Sequence, residues 1–236
     1  MYKVINHNIK EEHYDRPATL PRDMFPDLLQ PLSDGELPKY VMTETTMLFR
    51  MDARTAWMKW VFSLMNYAVS LNGNLPGTEQ VKGRMHKNAV ALGEFITPYY
   101  GVTAANLLST ALISIGDVGM HYVEAMKAKK SPEELAEIAK TWDPYVESLA
   151  KLLNELNPGN WPKTLLSDIM SNIVLAWQEQ LAARANGDIV KDEIAIDKLT
   201  KLTVTGLPNH VRKGFSSLAD IFSRGIIAQF PGTFIS

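Results

Sequence analysis

Asp117, His121 and Glu124 stand at i, i+4 and i+7 of a run whose apolar residues repeat at helical spacing, so all three share one helix face. A carboxylate–imidazole–carboxylate face can ligate a divalent cation. It can also hold a neutral imidazole in one tautomer. These three are the candidate metal ligands of the chain. They are rotated by roughly 100° from the apolar stripe at Ala111, Ile115, Val118 and Tyr122, so a solvated or inter-subunit face is the competing reading. A di-iron bundle would need Glu-x-x-His on two helices and two further Glu, and no Glu-x-x-His falls on an expected core helix.

The remaining polar residues suggest less. Asp168 and Asn172 are four apart with Glu179 beyond, which reads as surface pairing. His86 lies between Arg84 and Lys87 on a solvated face, and His210 follows Asn209 at an expected helix start. With 0 Cys, thiolate metal sites, disulfides and cysteine nucleophiles are excluded. Neither a Gly-x-Ser-x-Gly elbow nor a Gly-rich phosphate loop occurs. Lys127-Ala128-Lys129-Lys130 sits where a helix ends, and cations there favour the helix dipole. No catalytic residue and no cofactor is expected.

These side chains must be positioned by helices. Residues 1–42 carry Pro17, Pro21, Pro26, Pro31 and Pro38, each of which removes a donor and favours extended backbone. An extended arm is expected there, held down by Tyr2, Val4, Ile5, Tyr14, Met24, Phe25, Leu28 and Leu29. From Thr43 onward the 3.6-residue period dominates. One helix is expected over about 43–71, where Trp57, Val61, Leu64, Ala68 and Leu71 form a stripe. A second starts near Thr78 and stops at Pro98, and a third starts near Thr103. Gly116 and Gly119 in the third would let a neighbour approach closely. Ser131-Pro132-Glu133-Glu134 reads as a capping box with proline at the first helical position. Asp143-Pro144 restarts or kinks that helix. Pro162, Asp188 and Asn209 open the last three. The expected architecture is an all-α, up-and-down bundle of six to seven helices over 43–236, behind the 1–42 arm.

The motifs at the turns resemble an uncharacterised family of helical-bundle proteins from spore-forming bacteria and large DNA viruses. Thr97-Pro98-Tyr99-Tyr100-Gly101 is similar to that family's Lys-Pro-Phe/Tyr-Tyr-Gly turn. Asn157-Pro158 with Trp161 resembles its Asn-Pro-x-Trp. Arg184-Ala185-Asn186-Gly187-Asp188 resembles its Arg-Leu-x-Gly-Asp. Gly225-Ile226-Ile227-Ala228-Gln229-Phe230-Pro231 resembles its Gly-Ile-Ile-x-Gln-Phe-Pro. The resemblance implies a helical bundle with one histidine on each of three helices, a possible metal site. The matching positions here are Arg54, Ala111 and Ile169, of which alanine and isoleucine cannot ligate and arginine stays protonated.

The 236 residues are 46% hydrophobic with a net charge of -2, which argues against disorder and against a global field for nucleic acid or acidic membranes. The segment Trp57–Leu71 is the longest membrane candidate, and Lys59 and Asn66 interrupt it. With no leader pattern, the chain reads as cytoplasmic, and as able to enter a particle. The aromatic and Met residues around 47–67 suggest a helix central in its bundle or shared with a partner. The expected function is a non-enzymatic structural subunit that packs on other protein chains, as a homo- or hetero-oligomer and a possible virion component, with no nucleic acid and no membrane. The alternative is a metal- or small-ligand-binding bundle.

Overall fold

Thr43 begins the first helix through a reciprocal cap. Its Oγ1 accepts from the Thr46 amide at 3.1 Å, while Thr46 Oγ1 accepts from the Thr43 amide at 2.8 Å. Two donors that a helix start leaves unpaired are thereby satisfied. The structure is a computed structural model and describes residues 43–206 and 216–234. The elements are α1 (Glu44–Val61), α2 (Ser63–Asn72), α3 (Thr78–Lys127), α4 (Pro132–Lys140), α5 (Asp143–Leu156), α6 (Lys163–Ala185), α7 (Ile189–Thr200), a π-helical turn (Lys201–Thr205), α8 (Leu218–Gln229) and the short α9 (Pro231–Phe234). Among the described residues there is no strand, so the chain is an all-α bundle. The expected arm at 1–42 and the expected cap at Asn209 lie outside the described residues. The last long helix is capped instead by Ser217, whose Oγ accepts from the Asp220 amide. Ser131 with Glu134, and Asp188, cap α4 and α7 as their sequence signals suggest.

Two expected helix ends moved. The run 43–71 is not one helix, because it breaks at Phe62. The last carbonyls of α1 are taken by side chains. Lys59 O accepts from Ser63 Oγ at 2.6 Å and Asn88 Nδ2 at 3.0 Å, and Val61 O accepts from Trp177 Nε1 at 3.0 Å. Such insertions are what kink helices. Downstream, helix continues through Pro98 to Tyr100 and reverses at Gly101, whose φ of 79° and ψ of 171° only glycine adopts at low cost. A proline near a helix end forgoes one hydrogen bond, whereas the reversal needs a positive φ.

α3 is therefore a hairpin with two arms, 78–100 and 102–127. Pairings across it run antiparallel: Lys82 with Glu124, His86 with Asp117, Met85 beside Gly116, and Gly93 beside Ala105 and Ser109. The arms nearly touch at Gly93, where a Cβ would lie 2.0 Å from Ser109 Oγ and 2.4 Å from Ala105 O. Among the described residues, α3 and not 57–71 is the helix long and apolar enough by composition to cross a membrane. Its most apolar 18-residue window is 39% buried, so much of that stretch faces outward.

All five tryptophans are fully buried. Three of them find acceptors on helix backbones. Trp142 Nε1 donates to Ile115 O at 2.9 Å, Trp161 Nε1 to Ile221 O at 3.1 Å, and Trp177 Nε1 to Val61 O. A helical Cβ points toward the N-terminus and covers the preceding turn. Glycine at i+4 uncovers the carbonyl at i. Gly119 and Gly225 stand in that relation to Ile115 and Ile221, and a Cβ on Gly225 would lie 2.1 Å from Trp161 Nε1. The Phe62 break does the same for Val61.

Three glycines of the hairpin should respond differently to alanine in urea denaturation followed by circular dichroism. Gly83 has open space around it, so Gly83→Ala should stabilise by up to about 1 kcal/mol through helix propensity. Gly101→Ala meets no atom and should cost about 1–3 kcal/mol for its backbone conformation alone. Gly93→Ala should also lose about 1–3 kcal/mol, because it strikes the backbone of the facing arm. Equal effects at all three would refute the hairpin geometry.

Candidate functional site

The shared face of Asp117, His121 and Glu124 is divided among different partners. Asp117 Oδ1 lies 2.6 Å from His86 Nε2, on the other arm of the hairpin. Glu124 Oε1 accepts from Tyr67 Oη of α2 at 2.6 Å and from Lys82 Nζ at 3.0 Å. His121 is exposed and borders a surface depression shared with Glu124, Lys130, Glu134 and Glu137. Among the described residues no three His, Asp or Glu side chains form a group that could hold a metal ion. The three lie on one helix, but spacing on one helix says nothing of cations on the facing one. His86, read as solvated, and Lys82 are the partners that one-helix reasoning missed.

Electrostatics follow from these contacts. Burial pushes the Glu124 carboxyl up, but hydrogen bonds from Tyr67 and Lys82 outweigh it, and its pKa ends below the usual carboxylate range. The Lys82 ammonium is raised by the same Glu124 bond. The Tyr67 phenol is raised, first by burial and then by its bond to the Glu124 carboxylate. Together these groups brace α2 and both arms of α3.

The histidine positions of the resemblance hold structural groups. Ile169 is buried in the core, and Ala111 packs against it. Arg54 joins Arg50 in pairing with Asp220 of α8, at 2.9 Å and 2.8 Å. Asp168 O accepts from Asn172 Nδ2 at 2.8 Å, a bond within one helix. Glu179 receives the buried Lys198 ammonium with both oxygens at 3.0 Å. His7, His13 and His210 lie outside the described residues.

Three of the resembling motifs meet at one place. Asn157, 2% exposed, donates through Nδ2 to Gly225 O at 2.9 Å and to Tyr100 Oη at 3.2 Å. Its Oδ1 accepts from Asn160 Nδ2 at 2.8 Å. Tyr100 Oη donates onward to Gln229 Oε1 at 2.6 Å. Around this chain Trp161 stacks on Phe222 at 5.2 Å, and Tyr100 packs on both Trp161 and Phe230. The fourth motif is a turn. Gly187 has φ of 68°, Asp188 N returns to Ala183 O, and Asp188 then caps α7. Arg184 meanwhile pairs with Asp192 at 2.7 Å. The motifs fasten helix ends, and the polar side chains of the node bond one another and the Gly225 carbonyl.

No protein-family model, curated protein or solved structure matches the chain.

Burial raises the Tyr100 phenol against a smaller opposing effect of Asn157. A raised phenol adds stability that is whole below the unfolded tyrosine pKa of about 10 and is lost as pH climbs toward the folded value. Glu124 works the other way, adding stability above the unfolded carboxyl pKa of about 4 that is lost as pH falls through its lowered one. Urea midpoints should therefore fall on both the acid and the alkaline side. Tyr100→Phe should lower the neutral midpoint by about 1 kcal/mol yet flatten the alkaline fall. An alkaline limb as steep as that of the parent would show that Tyr100 is not held protonated.

Proposed function

We propose that this chain is a non-enzymatic helical-bundle subunit that works by packing against other protein chains, in a homo- or hetero-oligomer. A virion or other particle is the kind of assembly that the family resemblance implies. One observation carries the reading: apolar side chains that could have been buried stand outside in groups. On α1 these are Met47, Leu48, Met51 and Met58, at 48%, 51%, 54% and 43% exposure. At the start of α7, Ile189, Val190 and Ile194 are 73%, 68% and 41% exposed. Scattered exposed apolar residues are ordinary, but contiguous ones mark contact surfaces. The polar groups do the opposite. Most of the buried or half-buried ones go to caps, ion pairs, helix carbonyls and the Asn157 node, while Thr203 Oγ1 and Gln180 Oε1 are buried without a partner among the described residues.

Sedimentation velocity on the full chain, with in-cell cross-linking read by mass, tests this. The expected result is a species heavier than the 26.4 kDa monomer in at least one of the two. Monomer alone in both would overturn the proposal.

A further inference from the structure

The outer face of α1 has its own mirror in charge. Taking Met51 as the centre, Glu44, Met47, Leu48, Thr55, Met58 and Lys59 all fall within roughly 80° of it at 100° per residue. Glu44, Thr55 and Lys59 are exposed along with the four apolar side chains. The opposite side of α1 is spent on its own bundle, through Ala53, Trp57 and Trp60, all fully buried. The stripe thus has an acid at the N-terminal end, a base at the C-terminal end and thioethers between. Glu44 and Lys59 stand equally far from the midpoint between Met51 and Asp52.

We infer that α1 pairs antiparallel with α1 of a second copy, about a two-fold axis beside Met51. The inference rests on the subunit reading above and names its partner. In that register Glu44 of each copy comes level with the partner's Lys59, twice over, since a two-fold contact is isologous. Met51 meets the partner's Met51, and Leu48 packs beside the partner's Thr55. Both charges of each pair lie toward the same flank, as the two-fold requires. Asp52 sits on that flank at the rim, about 100° from Met51, and keeps its water. A parallel pairing would set Glu44 against Glu44 and Lys59 against Lys59, so charge selects the antiparallel one. Methionine suits such a seam, because its flexible thioether adapts to a helix that crosses it.

The test is sedimentation velocity of the full chain over a concentration series, at low and high salt, with melting curves as the control for folding. The wild type is expected to dimerise, less so in high salt. Met51→Glu should weaken the dimer at least tenfold, with a melting point no lower than that of the wild type at dilutions where both are monomeric. Glu44→Lys alone should weaken it, and Glu44→Lys with Lys59→Glu should restore it. Reversal of both charges opposes the helix dipole, so a recovered dimer from a less stable protein cannot be a folding effect. An oligomer indifferent to Met51→Glu, or a swap that fails to rescue, overturns this pairing and leaves the subunit reading standing. The same holds for a protein monomeric when purified but cross-linked to heavier species in cells. A monomeric wild type whose residues 1–42 become protease-sensitive in Met51→Glu would assign the face to its own N-terminal segment and overturn the dimer. Monomer in every measurement removes both readings.

Discussion

A helical core offers few free acceptors, and the structure is organised by that scarcity. Every interior carbonyl of a helix already bonds the amide four residues on, yet buried indoles need somewhere to put their N–H. Three tryptophans here solve this by sharing a helix carbonyl. Gly225 opens Ile221 O to Trp161, the break at Phe62 opens Val61 O to Trp177, and Trp142 reaches Ile115 O one turn before Gly119, where a Cβ would strike Leu64. Each contact joins two elements distant in sequence, so the indoles also fix how those helices are set against one another. Trp57 and Trp60 are equally buried but have no acceptor among the described residues. They are held by ring contacts instead, Trp57 against Trp60 and Phe222, and Trp60 against Trp177.

The same constraint brings three of the turn motifs together. Tyr100 and Gly101 form the tip of the α3 hairpin. Asn157 to Trp161 is the turn after α5, and Gly225 to Pro231 is the end of α8. Far apart in the chain, they meet because Trp161 must reach Ile221 O through the gap at Gly225, and Asn157 must satisfy Gly225 O beside it. Residue types at these positions are restricted by packing and hydrogen bonding. They carry the fold, and an activity cannot be read from them.

Helix content, caps and the buried stripe were legible from periodicity because those properties are local. Ser131 with Glu134, Asp188, and the inward Trp57, Val61, Leu64 and Ala68 are where their spacing put them. Non-local events were not legible. Phe62 becomes a break only because Asn88 and Trp177 arrive from elsewhere. Gly101, not Pro98, is the reversal, since proline is visible as a breaker but the φ that a hairpin demands is not. The candidate metal face fared likewise. Nothing on α3 between 117 and 124 announces that His86 and Lys82 will lie opposite, because the fold-back that brings them there depends on Gly93, Gly116 and Gly101 together. Arg54 and Arg50 could be seen as charges on an amphipathic helix, but their shared Asp220 could not.

Once the polar groups are assigned, the unbalanced quantity is apolar surface. A helix that served only its own bundle would present charge and amide outward. α1 instead places methionines and a leucine there, between Glu44 and Lys59. α1 already has a full complement of inward residues, Trp57 and Trp60 among them. The outward methionines therefore add nothing to the described core. Under the proposed pairing they leave water when a second copy covers them. The near-neutral charge of -2 is consistent with that, since copies of a weakly charged chain approach without strong mutual repulsion.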